Sequence, residues 1–123
     1  MLDTNIIIDL FSNDLEILEK LSNTNLVIPS VVIGELFFGA YLSKQPELRI
    51  NQIEEFILGC EVFSIDQATS KLYGKIKTQL KNDGTPIPEN DVWIAALARQ
   101  HNFILATRDK HFDKPKGIKV EFW

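Results

Sequence analysis

An α/β fold around a mainly parallel sheet is the architecture this chain predicts, and three observations predict it. Short apolar runs suited to strands alternate along the sequence with longer segments whose apolar residues recur at helical spacing. The 123 residues are 45% hydrophobic, enough for one packed domain over residues 1–123 that buries about two-thirds of its unfolded surface. No repeat or low-complexity tract interrupts the alternation. Strand, helix, strand order implies a three-layer α/β/α arrangement with helices on both faces of the sheet.

In chain order, Leu2 to Thr4 begins a strand, and Asn5 to Phe11 continues apolar into a first helical turn. Leu15, Leu18 and Leu21 recur at helical spacing after a capping residue at Asn13 or Asp14, predicting a helix from about Asp14 to Leu21. Asn25-Leu26-Val27-Ile28 is a short buried strand stopped by Pro29. Ser30 is then the expected N-cap of a helix over residues 31–42 that is apolar on nearly every side. Phe37 and Phe38 diverge by about 100° around that axis, so some of its apolar residues are expected to bury against another subunit. Pro46 to Leu58 reads as a helix, Glu61 to Ile65 as a strand, and Asp66 as the N-cap of a long basic helix to about Asn82. The rigid loop Gly84-Thr85-Pro86-Ile87-Pro88 leads to a helix from about Val92 to Gln100, with Asn90 as its expected cap. Phe103 to Ala106 is the best strand in the chain, and Lys119 to Phe122 adds an edge strand.

Composition excludes several classes of chemistry. The single Cys60 forms no internal disulfide, sits in the apolar run Phe56-Ile57-Leu58-Gly59-Cys60 as a small buried residue, and fits a reducing cytoplasm. Two His and one Cys are too few for a zinc cluster, and no glycine-rich phosphate loop occurs. No apolar run approaches the ~20 residues of a membrane span, and the N-terminus carries no export pattern. The net charge of −4 is uneven. Residues 1–66 hold 3 basic and 11 acidic side chains, residues 67–123 hold 10 and 6, so the halves stand at −8 and +4. Such polarity suits a protein that grips phosphates with Lys and Arg and metal with carboxylates. Lys71, Lys75, Lys77 and Lys81 are equally read as the wet face of a helix.

Four acids stand where strand or loop gives way to helix: Asp3, Glu35, Asp91 and Asp109. In parallel α/β sheets, functional groups gather outside the carboxyl ends of the strands. Asp3 ends the first strand, Asp109 follows the strand closing at Ala106, and Glu35 lies in the helix after the strand closing at Ile28. Asp91 opens a helix, where negative charge is favoured. Asp3 lies between Leu2 and the run Ile6-Ile7-Ile8, and Glu35 is the one charged side chain between residues 21 and 43. Burying either unpaired is costly, so a cation or hydrogen-bond partner is implied. Oxygen ligands of this kind suit Mg²⁺ or Mn²⁺, with a phosphodiester as the natural substrate.

The blocks Leu2-Asp3-Thr4-Asn5, Pro29-Ser30 with Glu35-Leu36, Pro86 to Ala96 around Glu89-Asn90-Asp91-Val92-Trp93, and Leu105 to Phe112 around Thr107-Arg108-Asp109 resemble the four signatures of PIN-domain nucleases. Within that family the chain most resembles the VapC toxins of type II toxin–antitoxin pairs. The resemblance implies a Mg²⁺- or Mn²⁺-dependent endoribonuclease. By position, Asp3, Glu35, Asp91 and Asp109 would form the catalytic and metal-binding quartet, with Asn5, Thr107 and Asn90 in support. It also implies a cognate antitoxin, a basic amphipathic peptide suited to the acidic half of the chain and to the helix at 31–42, and an RNA substrate, with transfer, ribosomal and messenger RNA all used in the family and transfer RNA the commonest. The departure from the family is at the start, where two residues precede Asp3. Either the first strand is clipped or the true start lies upstream; with Met1 as the start, the expectation is a central strand short of ladder partners and a terminal amine near the metal site.

Arg108 and Lys110, flanking Asp109, are the expected RNA contacts, followed by Lys75 and Arg99. Trp93 is expected in the core, with base stacking as the other reading, and His111 is expected to be a surface or packing residue. Two other functions are weighed. A haloacid-type phosphohydrolase would want a second Asp two residues after Asp3, where Asn5 stands. A non-catalytic relative would usually lack one of the acids, and none is missing.

Overall fold

A computed structural model describes residues 1–123 as α1 (Thr4–Phe11), α2 (Leu15–Leu21), β1 (Leu26–Pro29), α3 (Ser30–Leu42), α4 (Pro46–Leu58), β2 (Cys60–Phe63), α5 (Gln67–Asn82), α6 (Glu89–Gln100), β3 (Ile104–Thr107), a 3-10 turn (Lys110–Asp113) and β4 (Lys119–Phe122). All strand pairing is parallel, as the alternation predicts. β1 pairs with β2 from Leu26 opposite Cys60 to Pro29 opposite Phe63, and β3 pairs with β4 from Ile104 opposite Lys119 to Thr107 opposite Phe122.

The expected first strand over Leu2 to Thr4 is reduced to a bridge. Thr4 is already helical, with Asp3 as the N-cap of α1, and Met1, Leu2 and Asp3 lead into it. They suffice to join the two ribbons. The Leu2 amide donates to Val27 O of β1 at 2.9 Å, while Asp3 N donates to Ala106 O at 3.0 Å and Ala106 N to Met1 O at 2.8 Å. Leu2 thus lies between β1 and β3. The terminal amine, expected near the metal site, instead donates to Ile104 O at 2.9 Å, at the start of β3 and away from its carboxyl end.

Two helix caps differ from expectation for one reason. α3 and α6 are each preceded by a proline in extended conformation, Pro29 and Pro88, and neither start has a side-chain cap. Ser30 and Asn90 are consequently inside the first turn and not at the cap. Asp14 and Asp66 do cap, α2 and α5 respectively, and Asp66 forms a capping box with Thr69. Asn13, the other residue considered at the start of α2, supplies a left-handed turn at φ 59°.

α5 and α6 lie antiparallel, since Asp66 and Thr69 bond Gln100, Tyr73 stacks on Trp93 with ring centroids 3.9 Å apart, and Lys77 pairs with Glu89. Trp93 therefore has an aromatic partner inside the protein. The core gathers Ile6 and Ile7 of α1, Ile17, Ile28, Val32, Ile94 of α6, Leu105 of β3 and Phe112 of the 3-10 turn, all but sealed from solvent. α3 does not bury its whole circumference: Leu36 and Ala40 are inside, while Phe38, Tyr41 and Leu42 are 67%, 68% and 72% exposed. No helix is long and apolar enough to cross a membrane.

Candidate active site

The four acids arrive from four elements and converge beyond the carboxyl ends of β1, β3 and the Leu2 segment. Asp3 is 4% exposed and held on three sides. Its Oδ1 accepts from Thr4 N at 2.8 Å as the helix cap, and its Oδ2 accepts from the Thr107 hydroxyl at 2.6 Å and from Asn5 Nδ2 at 3.3 Å. Thr107 Oγ1 also accepts from Asp109 N at 2.9 Å, so one buried hydroxyl sets Asp3 and the Asp109 backbone in fixed relation. Asn5 links the same parts from the other side, its Oδ1 accepting from Arg108 N at 3.2 Å. Asn5 and Thr107 thus both hydrogen-bond Asp3, whereas Asn90 is exposed and makes no side-chain hydrogen bond.

Asp91 sits in the first turn of α6, buried, and crowded by like charge. Burial, then the negative charges of Asp3, Asp109 and Glu35, push its carboxyl up to about 6, against a weaker opposing pull from His111. Burial raises Asp3 as well, with Asp109 adding to the rise and the hydrogen bonds from Thr107, Thr4 and Asn5 opposing it. Glu35 is raised by burial and by Asp3. The Thr4 hydroxyl nearby tempers that rise, yet neither it nor Glu35 Oε1 completes a hydrogen bond, although both atoms are buried.

None of the four carboxylates pairs with a lysine or arginine. The nearest nitrogen donor is an imidazole. The 3-10 turn, capped by Asp109 Oδ1 accepting from His111 N at 2.9 Å and pinned by buried Phe112, folds His111 back so that Nδ1 is 3.1 Å from Asp109 Oδ1 and 3.7 Å from Asp91 Oδ2. Sequence alone read His111 as a surface or packing residue. It is exposed, and the turn also brings it to the acids. Clustered, desolvated oxygens lacking a countercharge, with one of them an orphaned buried atom, fit a divalent cation.

The expected RNA contacts are dispersed. Arg108 faces inward, its Nη1 donating to Asp9 Oδ2 at 2.7 Å and Asp14 Oδ2 at 3.1 Å and its Nε to Trp123 O at 3.1 Å. It ties β3 to the α1–α2 turn and is not free for a phosphate. Arg99 lies at the opposite end of α6 from Asp91, over Gly117, whose positive φ of 81° disfavours a side chain and where an added Cβ would come to 3.0 Å from the guanidinium. Lys75 is exposed on α5, and Lys110, beside the site, stands 5.7 Å from the centroid of the Phe122 ring.

With this geometry in view, the comparisons with known proteins are specific. The profile of the PIN domain family matches residues 1–118. Ribonuclease VapC2 of Haemophilus influenzae is 33% identical over 127 aligned positions, covering 100% of this chain and 96% of that protein, and the tRNA(fMet)-specific endonuclease VapC of Shigella flexneri matches to the same extent. Among solved structures, a DNA-bound VapBC complex from Salmonella typhimurium superposes with a TM-score of 0.93 at 31% identity, and VapBC-1 of nontypeable Haemophilus influenzae with 0.90 at 35%, each covering 100% of this chain and 96% of the other. Full-length identity above 30%, a parallel α/β fold and a converging acidic centre together place the chain in the PIN domain family and, within it, among the VapC ribonucleases of toxin–antitoxin systems.

Proposed function

We propose that the chain is a Mg²⁺- or Mn²⁺-dependent endoribonuclease toxin that cuts RNA at the Asp3, Glu35, Asp91 and Asp109 centre. The observation that carries this reading is the convergence of four carboxylates from four elements with no lysine or arginine among them. Such a set is held together only at the expense of mutual repulsion, which a bound cation relieves. When bound, a divalent cation supplies a more acidic water and neutralises charge at the scissile phosphate.

The chain's own groups prepare that step. Asp3 is oriented by three donors, which oppose the upward pull of burial on its carboxyl. Thr107 transmits its position to Asp109, and Asp91 carries its charge above pH about 6. No side-chain nucleophile is required. Lys110, beside Asp109, is the basic side chain best placed for a substrate phosphate, with Lys75 more remote on α5.

Transfer RNA is the substrate class we favour, and inhibited translation the outcome, because relatives from Shigella flexneri and Salmonella typhimurium that are 33% and 32% identical are named as tRNA(fMet)-specific endonucleases. A cognate VapB-like antitoxin is the expected silencer. A groove of 390 Å³ between α1, α3 and α4, lined by Ile8, Phe11, Leu36, Ala40 and Ile53 and bordered by Glu35, suits an amphipathic peptide bearing one basic group. The exposed Phe38, Tyr41 and Leu42 support a homodimer through residues 31–42, and an RNA substrate with unpaired Cys60 supports a cytoplasmic location.

The test is cleavage of total bacterial RNA by antitoxin-free protein in EDTA, Mg²⁺ or Mn²⁺, beside Asp91→Asn. Discrete, metal-dependent fragments that the variant does not produce are expected, and end-mapping identifies the RNA. Folded protein that cuts nothing in either metal would contradict the reading.

A further inference from the structure

We propose that His111 is itself a ligand of the divalent cation, adding a nitrogen donor to Asp91 and Asp109 and tilting the centre from Mg²⁺ toward Mn²⁺. The inference rests on the metal-dependent reading above and concerns a residue outside the acidic quartet.

Geometry carries it. Ligand atoms of Asp91, Asp109 and His111 all lie within 4.8 Å of one another. An octahedral ion with bonds of ~2.1 Å spaces neighbouring ligand atoms about 3 Å apart and opposite ones about 4.2 Å. The observed separations, 3.1 Å from Nδ1 to Asp109 Oδ1 and 3.7 Å to Asp91 Oδ2, fall within that range. The imidazole is placed there by the backbone. Asp109 caps the turn that carries His111, and Phe112, 1% exposed, anchors the same turn in the core. The other histidine packs between Phe63 and Phe103, with ring centroids 4.5 Å and 6.0 Å away, and follows α6 at the end opposite Asp91. One nitrogen ligand is therefore on offer at the centre.

Its consequence is selectivity. Mg²⁺ takes oxygen ligands almost exclusively, whereas first-row ions accept imidazole, with affinities that rise from Mn²⁺ onward. A centre of carboxylates alone treats Mg²⁺ and Mn²⁺ nearly alike. One imidazole separates them.

The experiment is pulsed electron paramagnetic resonance of the full-length protein loaded with Mn²⁺, paired with calorimetric titration of Mn²⁺ and of Mg²⁺. Wild type is expected to show nitrogen modulation from a coordinated imidazole, lost in His111→Ala and kept in His101→Ala. Affinity for Mn²⁺ is expected to fall about tenfold in His111→Ala while affinity for Mg²⁺ changes less than about threefold. Bound Mn²⁺ without nitrogen modulation in wild type, or modulation that survives His111→Ala, overturns the ligand role and leaves the nuclease reading intact. So does an equal loss of affinity for both ions, the signature of a histidine that only steadies Asp109. Failure of wild type to bind either ion, together with absent RNA cleavage, overturns both readings.

Discussion

Asp91 is ionised against its surroundings, and its titration makes the metal-free protein's stability depend on pH in a definite direction. Its folded value of about 6 lies above the ordinary 3.8, so between those values the folded state holds more protons than the unfolded state and stability falls as pH rises. Asp3 and Glu35, also raised, act in the same sense. Asp14, Asp66 and Asp83 are lowered, so their stabilisation is present above about pH 4 and lost below it. The metal-free melting midpoint is thus expected to decline from pH 5 to pH 7, and saturating Mn²⁺ at pH 7 should recover most of the loss; a midpoint that is flat or rising over that interval would contradict the crowding of the four acids. Thr107→Val removes one hydroxyl that serves Asp3 and Asp109 together, and is expected to lower stability by about 1–3 kcal/mol and weaken metal binding more than tenfold, measured by denaturant unfolding and calorimetry. Asp3 and Glu35 were legible because each is a lone charge in an apolar run. The inward turn of Arg108 was not, because its partners Asp9 and Asp14 are 99 and 94 residues distant in the chain. His111 was read as a surface or packing residue for a similar reason: spacing places it two residues from Asp109 but does not show the turn folding back.

Among the elements, α5 and α6 separate stability from activity most cleanly. Asp66 caps α5 and accepts twice from Gln100 Nε2, at 3.0 and 3.2 Å, at the end of the helix pair remote from Asp91. From Asp91 to Gln100 the α6 axis covers roughly 14 Å. Asp66→Ala is accordingly expected to lower the denaturant midpoint of unfolding while leaving cleavage at saturating metal within about twofold of wild type. A collapse of cleavage in folded Asp66→Ala would mean that the far end of the pair controls the centre. Arg108→Ala has the opposite profile, loosening the α1–α2 turn and the residues beside Asp109 together, with loss of both stability and metal affinity. The long basic helix, α4 and the edge strand β4 were legible from periodicity and capping. The caps of α3 and α6 were not, because β1 runs through Pro29 straight into α3 and Pro88 supplies the extended residue before α6. A proline takes the position where a polar cap was expected.

At the scale of the whole molecule, the fold class was legible from alternation alone, while the entry of Thr4 into α1 was not. The exposed face of α3 gives the assembly prediction. Phe38→Glu with Tyr41→Glu is expected to convert a dimer to a monomer in light scattering coupled to size exclusion, without loss of the folded far-ultraviolet spectrum; a monomeric wild type would assign that face to another partner. The joint between the two ribbons has a different consequence. Leu2 meets Ala106, and Asp3 meets Thr107, across 104 residues of chain. Contacts so distant in sequence form late, after the local helices have closed. A chain emerging from the ribosome therefore carries Asp3 long before it carries Thr107 and Asp109, with nothing yet to hold the carboxylates together. The interval of its own synthesis is therefore one in which the chain holds no assembled acidic centre.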